Sequence, residues 1–432
     1  MFKTVDIISL GCSKNLVDSE KLMAQLKANG IAVAHDPEKP KAEVVVVNTC
    51  GFIGDAKEES IDTILQFAAA KRRGKIKRLY VMGCLSERYL EQLGESIPEV
   101  DKFYGKFNWK ELVAEIGATY RRDLMNERSL TTPQHYAYLK ISEGCNRMCS
   151  YCAIPLITGR HTSRPMDEII DEARTLRDKG VKELQVIAQD LSSYGSDLYG
   201  KLSLAELTQR LSEIDGIEWI RLHYAYPAGF PHDILPVMAQ NPKVCNYIDL
   251  ALQHISDHML KLMRRKIDRE QTIGLLDEIR SKVPGIHIRT TFIAGHPGET
   301  EEDFAELMQF VEQQRFERLG VFPYSHEEDT YSWRHYTDDV PDEVKQSRAE
   351  QIMNLQCGIS AELNSKKVGT TMKVIIDRAE GADFVGRTEF DSPEVDPEVI
   401  ITPRKGQKIR IGDFYNVKIT SAEEYDLIGT IE

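Results

Sequence analysis

The sequence predicts an α/β chain in three parts: an N-terminal parallel α/β domain, a central open (βα)6 partial barrel and a small C-terminal all-β barrel. Three observations carry this expectation. Apolar strand-like runs alternate with helical periodicity three times before residue 130, as in a parallel sheet built from βα units. The alternation resumes six times between residues 136 and 324. Beyond residue 367 it gives way to short strand-like runs separated by turn residues. The expected domains are therefore 1–130, 131–366 and 367–432.

In the first part, residues 5–10 read as an apolar strand ending at Gly11-Cys12. Helical periodicity follows over 18–28 and stops at Asn29-Gly30. Residues 43–48 contain four consecutive valines, as a strand buried on both faces does, and run into Thr49-Cys50-Gly51. A second helix is expected over 57–73, and a third strand, 78–82, ends at Gly83-Cys84. Each unit thus places one cysteine just past the carboxyl end of a strand, where open parallel sheets build their sites. Adjacent strand ends would gather Cys12, Cys50 and Cys84 on one rim as a metal site; three small buried residues are the competing reading.

Residues 114–133 are more polar, lack a period and read as a linker. Barrel strands are expected at 136–142, 183–189, 219–224, 247–253, 287–294 and 318–324, with helices such as 166–179, 204–214, 269–283 and 301–314 between them. Six units are too few to close an eight-stranded barrel, so the barrel is open. A long polar helix over 342–366 leads to strands at 372–376, 384–388, 399–402, 415–419 and 427–431, a barrel of the oligonucleotide-binding general type. Asp391, Glu394, Asp396 and Glu398 crowd one stretch of it, whereas RNA-binding barrels are more often basic.

Bulk properties narrow the class. The formal net charge of −13 disfavours a mainly electrostatic grip on nucleic acid and suits a basic partner. The longest apolar runs are far too short to span a bilayer, and residues 1–6 run into a strand without a signal-peptide layout, so a cytoplasmic protein with no membrane contact is expected. In a reducing compartment, clustered members of its eight cysteines read as metal ligands rather than disulfides.

The loop after the first barrel strand reads Gly144-Cys145-Asn146-Arg147-Met148-Cys149-Ser150-Tyr151-Cys152. Its C-x3-C-x2-C spacing wraps three thiols around one small object. A structural zinc site needs four ligands, and no fourth Cys or His lies at finger-like spacing. Three thiolates on a four-iron cluster instead leave one iron open. A zinc knuckle or coincidental core cysteines are the bland readings.

The stretch resembles the signature of the radical S-adenosylmethionine (radical SAM) superfamily, with Tyr151 at the usual aromatic position. With both cysteine sets placed, the whole chain resembles the methylthiotransferases of that superfamily, whose third domain is a TRAM domain. Ser9-Leu10-Gly11-Cys12-Ser13-Lys14-Asn15-Leu16-Val17-Asp18-Ser19-Glu20 looks like the branch that modifies an aspartate of small-subunit ribosomal protein S-twelve. The tRNA-modifying branch typically has Gln-Met-Asn after the first cysteine. Tyr138-Leu139-Lys140-Ile141-Ser142-Glu143-Gly144-Cys145 and Ala251-Leu252-Gln253-His254 look like the same branch. Ser13 stands where proline is common, and Leu191-Ser192-Ser193 where many relatives carry threonines.

The resemblance implies two 4Fe-4S clusters, one on Cys12, Cys50 and Cys84 and one on Cys145, Cys149 and Cys152, each with an open iron. One S-adenosylmethionine would methylate a sulfur carried by the first cluster. Another, cleaved at the second, would yield the radical that takes hydrogen from an unactivated carbon. Implied partners are ribosomal protein S-twelve, a flavodoxin-like or ferredoxin-like electron donor and a sulfur donor. A tRNA adenosine methylthiotransferase and a non-catalytic iron–sulfur protein binding nucleic acid are the rival readings.

Further residues are singled out. Tyr151, Gln189, Arg221, Gln253 and Arg289 are candidates to line the S-adenosylmethionine pocket, against buried structural hydrogen bonding. Gly295-His296-Pro297-Gly298-Glu299-Thr300 reads either as a nucleoside-approaching turn or as a plain strand-to-helix turn. Arg160 and Arg164 are placed to meet a substrate carboxylate, with solvated arginines as the alternative. Lys71-Arg72-Arg73 and Arg264-Arg265-Lys266 read as solvated helix ends, with contact to ribosomal RNA as the alternative. Cys245 and Cys357 have no partner at useful spacing and are excluded from both clusters.

Overall fold

Val44, Val45, Val46 and Val47 are all fully buried, because their strand is central and covered on both faces. In the computed structural model, which describes residues 2–432, β1 (Thr4–Ser9), β2 (Ala32–His35), β3 (Val44–Thr49), β4 (Arg78–Gly83) and β5 (Lys102–Phe103) form a parallel sheet in the order β2-β1-β3-β4-β5. Val44 and Val46 pack with Leu22 and Leu26 of α1 (Ser13–Ala28) and with Leu112. Val45 and Val47 face the other way, against Ile64 and Phe67 of α2 (Gly54–Arg72) and Leu93. Each such valine contributes about 1.5–3 kcal/mol over an exposed one. The short helices α3 (Cys84–Arg88), α4 (Leu90–Ser96) and α5 (Trp109–Glu115) complete the domain.

Helix α1 begins at Ser13, five residues earlier than its apolar period indicates. The reason is chemical: its first turns bury Lys14, Asn15, Asp18, Ser19 and Glu20, so the inward face is polar and carries no hydrophobic signal. The stretch expected as a linker is also pinned. Arg128 is buried between Glu20 and Glu172 (3.1 Å to the latter) and donates to the Tyr138 carbonyl. That set of bonds welds the first domain to the second.

The six expected barrel strands are all present and all parallel. They are β6 (Tyr136–Lys140), then, after the small antiparallel pair β7 (Ser142–Glu143) and β8 (Thr162–Ser163), β9 (Glu183–Ile187), β10 (Trp219–Ala225), β11 (Val244–Gln253), β12 (His287–Ala294) and β13 (Arg318–Pro323). Between them run α6 (Ile154–Thr158), α7 (Met166–Asp178), α8 (Leu204–Ser212), α9 (Ile234–Gln240), α10 (Asp257–Leu262), α11 (Arg269–Lys282) and α12 (Glu301–Gln314). Leu139, Val186, Leu222, Leu250 and Phe292 pack outward on these helices in one large core. Alternate strand residues (Lys140, Gln185, Arg221, His223, Asp249, Arg289) are polar and turn to the concave face, as the two-residue strand period requires.

Helices α13 (Tyr331–His335) and α14 (Asp342–Ser365) lead to a closed five-stranded barrel, β14 (Thr371–Glu380), β15 (Asp383–Thr388), β16 (Val399–Ile401), β17 (Phe414–Ala422) and β18 (Leu427–Ile431). This barrel seats on the amino ends of the central strands. Phe390 stacks on His287 at 3.9 Å, and Phe414 meets Trp219 edge-on at 4.8 Å. The acidic stretch read as unlike an RNA-binding barrel is engaged within the chain: Asp391 pairs with Arg318, Asp396 with Arg289, and Glu394 accepts from the hydroxyls of Tyr136 and Tyr138.

Candidate functional site

With the amino ends of the strands covered, the carboxyl ends remain for chemistry, and both cysteine sets lie there. Cys12 occupies the position preceding α1, and its carbonyl accepts from Asn15 N (2.9 Å) and Leu16 N (3.2 Å). The Asn15 side chain donates to the carbonyls of Thr49 (2.9 Å) and Leu10 (3.2 Å) and accepts from Cys84 Sγ (3.5 Å), tying the three cysteine loops together. Two glycines make the convergence possible. A Cβ on Gly11, whose φ is +89°, would stand 2.7 Å from Cys50 Cβ, and one on Gly51 would stand 2.6 Å from Leu85 N. Cys12 is exposed while Cys50 and Cys84 are buried.

Burial pushes the Cys84 thiol up to about 12, with the Lys106 ammonium opposing it. Among the described residues no three Cys, His, Asp or Glu side chains converge on a single-ion site. An all-thiol donor set of this kind fits an iron–sulfur cluster, which takes one thiolate per iron at separate corners.

The loop 144–152 is anchored by its neighbours rather than by secondary structure. Gly144 (φ +77°) lies so close to Arg160 that an added Cβ would stand 2.1 Å from its carbonyl oxygen. Arg147 reaches Asp190 (2.6 Å), the Ala228 carbonyl (2.7 Å) and Ser193 Oγ (3.2 Å), and Ser150 Oγ bonds His296 Nε2 (3.1 Å). Cys149 is buried, and Arg265 Nη1 donates to its sulfur at 3.3 Å and to Tyr151 Oη at 3.1 Å. The Arg265 guanidinium lies over the Tyr226 ring at 4.1 Å, and Tyr226 Oη is 3.6 Å from Cys149 Sγ. The two cysteine sets adjoin: Cys84 packs on Ala153 and Ile157, at the turn just past Cys152.

Two strand ends depart from regular pairing at this rim. Register shifts fall between Leu222 and Ala225 and between Leu250 and Gln253. Within them Tyr224 (φ +62°) and Gln253 (φ +73°) adopt left-handed backbone, which non-glycine residues hold at a cost. Gln253 and Tyr151 line a cleft of about 680 Å³ with Phe52, Thr291, Tyr324 and Lys345. A second polar cluster lies between the cysteine sets. Glu143 takes the Lys106 ammonium at 3.0 Å, pairs with Lys140 and accepts from Gln189 Nε2 at 2.7 Å. Burial would raise Glu143, but the two lysines hold it down at about 2.

Of the residues expected in the S-adenosylmethionine pocket, Tyr151 and Gln253 reach the cleft and Gln189 bonds Glu143. Arg221 and Arg289 do not. Arg221 is buried against Glu183 (3.0 Å) and donates to the Glu389 carbonyl, while Arg289 pairs with Asp396 at 2.5 Å. Both point into the barrel near its amino end, where their charge seats the C-terminal domain. Arg164 bonds Glu172 and the Lys140 carbonyl and is not free for a substrate, whereas Arg160 is exposed. His296 of the glycine-rich turn braces Ser150, and Thr300 caps α12. Sequence reasoning missed Arg265, read as part of a solvated run, named Lys14 only within the branch-like stretch after Cys12, and missed Lys106 and Tyr226 altogether. An arginine two residues after Met263, in a stretch with Met259 and Leu260, was the available signal for the first.

The Radical SAM superfamily profile matches residues 139–311, the TRAM domain profile 368–431, and Uncharacterized protein family UPF0004 residues 4–105. Among solved structures, the radical S-adenosylmethionine methyltransferase TsrM from Kitasatospora setae superposes with a TM-score of 0.57 at 14% identity, over 88% of this chain and 82% of that one. The cobalamin-dependent radical enzyme OxsB gives a TM-score of 0.52 at 13% identity, over 82% and 56%. A parallel six-stranded barrel carrying a C-x3-C-x2-C loop at its rim, with these matches, defines a radical SAM protein.

The relatives narrow this further. "Ribosomal protein uS12 methylthiotransferase RimO" of Bacteroides thetaiotaomicron is 61% identical, over 99% of this chain and 98% of its own length. The protein of the same name from Porphyromonas gingivalis is 60% identical over 99% and 98%, and that from Cytophaga hutchinsonii 56% over 99% and 97%. The chain belongs to the RimO family of methylthiotransferases.

Proposed function

We propose that this chain installs a methylthio group on the β-carbon of an aspartate in ribosomal protein S-twelve. The observation that carries the reading is the meeting of the two cysteine sets, Cys84 against Ala153 and Ile157, in a chain whose full length matches proteins of that name. When bound, two 4Fe-4S clusters and S-adenosylmethionine supply a transferable sulfur with its methyl group and a radical able to take hydrogen from a carbon without acidity.

The residues have distinct tasks in this reading. Cys12, Cys50 and Cys84 hold the cluster that carries sulfur; Cys145, Cys149 and Cys152 hold the one that binds S-adenosylmethionine. Tyr151 and Gln253 form the cofactor wall of the cleft, and Gln189 and Glu143 keep the two lysines between the sites in place. Phe52, two residues past Cys50, closes the cleft from the first domain and keeps water from the reacting carbon. The partners are a low-potential flavodoxin-like or ferredoxin-like donor and a sulfur donor, and the place of action is the cytoplasm. No helix is long and apolar enough to cross a membrane among the described residues.

The test is mass spectrometry of ribosomal proteins and tRNA nucleosides from a strain lacking the chain. The expected result is loss of one methylthio group from ribosomal protein S-twelve with tRNA unchanged. Loss of a methylthio-adenosine instead would transfer the chemistry to tRNA and sink the protein substrate.

A further inference from the structure

Lys14 stands two residues after Cys12 on the first turn of α1, and its side chain is directed toward the barrel rim. The residue is 9% exposed, and its ammonium lies 3.5 Å from the centroid of the Tyr224 ring. Three other buried lysines are neutralised: Lys106 by Glu143 (3.0 Å), Lys140 by Asp18 (2.6 Å), Lys345 by Asp338 (2.7 Å). Lys14 has no such partner within 4.0 Å among the described residues; the face of an aromatic ring is what it has.

A buried ammonium is costly unless paired, and a ring face compensates only part of that cost. Nothing in the fold itself requires the charge. Asn15, one residue on, carries the bonds that tie the cysteine loops, and Lys14 takes no part in them. Of the acidic groups near it, Asp249 accepts from Tyr224 N at 3.2 Å and is pushed toward its neutral form by burial, against Arg289 and Lys14, and Glu394, which lines a small pocket with Cys12 and Ser13, is taken by the hydroxyls of Tyr136 and Tyr138. The platform under the ammonium is itself unusual: Tyr224 holds a left-handed backbone at a register shift, and its ring lies under Lys14.

We propose that Lys14 receives the carboxylate of the substrate aspartate. This rests on the reading of the substrate given above and deepens it. The chemistry fits: the aspartate β-carbon is bonded directly to its carboxylate carbon, so fixing the carboxylate beside Cys12 fixes the reacting carbon next to the site that holds the sulfur. An asparagine in its place would leave the ammonium unpaired, which makes Lys14 the residue that selects aspartate.

The experiment uses anaerobically reconstituted holoenzyme and two peptides carrying the target loop of ribosomal protein S-twelve, one with aspartate and one with asparagine at the target. KM and kcat of methylthiolation are measured for the wild type, Lys14→Met and Lys14→Arg, with iron content confirming that each is loaded. The wild type should prefer aspartate by roughly a hundredfold or more in kcat/KM, and Lys14→Met should reduce that ratio to about unity, mainly through KM. Lys14→Arg, which keeps the cation, should retain a preference for aspartate. A Lys14→Met enzyme that keeps the wild-type ratio overturns the inference. So does one whose defect lies in the KM for S-adenosylmethionine with the peptide preference intact, because the ammonium then serves the cofactor. A wild type inert on the aspartate peptide and on the ribosomal protein overturns the substrate reading itself, and the inference with it.

Discussion

Arg265 offers a direct test of how the protein sets the cluster on the barrel loop. Its Nη1 donates to Cys149 Sγ at 3.3 Å while the residue is 2% exposed, and its remaining charge faces the Tyr226 ring and the Ala251 carbonyl. Reducing a thiolate-bound cluster adds negative charge, so a buried cation bonded to a ligand sulfur stabilises the reduced form more than the oxidised one. A hydrogen bond to a charged group contributes about 1.5–3 kcal/mol, of which a part differs between the two redox states. Taking that difference as about 1–2 kcal/mol, and about 59 mV per 1.4 kcal/mol for one electron, Arg265→Met should lower the midpoint potential by roughly 45–90 mV. The assay is a redox titration followed by electron paramagnetic resonance on protein carrying only this cluster. An unchanged or raised potential in folded, iron-loaded Arg265→Met would refute the reasoning.

The remaining predictions concern the walls of the site. Gly11→Ala drives a Cβ to 2.7 Å from Cys50 Cβ, so reconstituted protein should hold about four irons instead of about eight, read by iron analysis. Arg128→Met leaves Glu20 and Glu172 facing each other in a closed interface and should cost about 3–5 kcal/mol, measured by denaturant unfolding at neutral pH. In the wild type, burial would raise Glu172, but Arg164, Lys21 and Arg128 outweigh it and hold its carboxyl at about 2. A carboxyl held below its unfolded value of about 4.3 stabilises the fold above that value and loses the contribution as pH falls through about 2. Stability should therefore fall between pH 5 and pH 2 in the wild type and fall less steeply in Arg128→Met, where the hold is weaker. Arg289→Met removes the 2.5 Å pair with Asp396; it should loosen the C-terminal domain by about 1.5–3 kcal/mol while S-adenosylmethionine binding, followed by calorimetry, stays as it was.

The central strands were legible because their signal is local; β2 and β5, the short edge strands of the first sheet, were missed. Four consecutive valines mark a doubly covered strand wherever they stand, and six βα periods mark six parallel strands. The three N-terminal cysteines were legible for the same reason, Cys12 lying three residues past β1 and Cys50 and Cys84 one residue past β3 and β4. What escaped was everything decided by polar burial. The first turn of α1 looks like solvent-facing sequence, since Lys14, Asn15 and Asp18 carry no apolar period, yet that turn is enclosed between the two domains. Arg128 looked like part of a polar linker because a guanidinium is buried only when its carboxylates arrive from elsewhere, here from Glu20 and Glu172. Arg221 and Arg289 were placed on the right strands but at the wrong end. A two-residue period fixes which face a side chain takes and says nothing about its height along the barrel axis.

The C-terminal domain bears on the order of traffic through the molecule. With Phe390, Phe414, Asp391 and Asp396 seated on His287, Trp219, Arg318 and Arg289, the lower mouth of the barrel is stoppered, and cofactor and substrate share the upper doorway. On the reading proposed above, two molecules of the same small cofactor would enter and leave such a cul-de-sac in turn. In that reading the bound polypeptide loop would have to withdraw before the fragments beneath it leave, which would tie turnover to release of the modified protein.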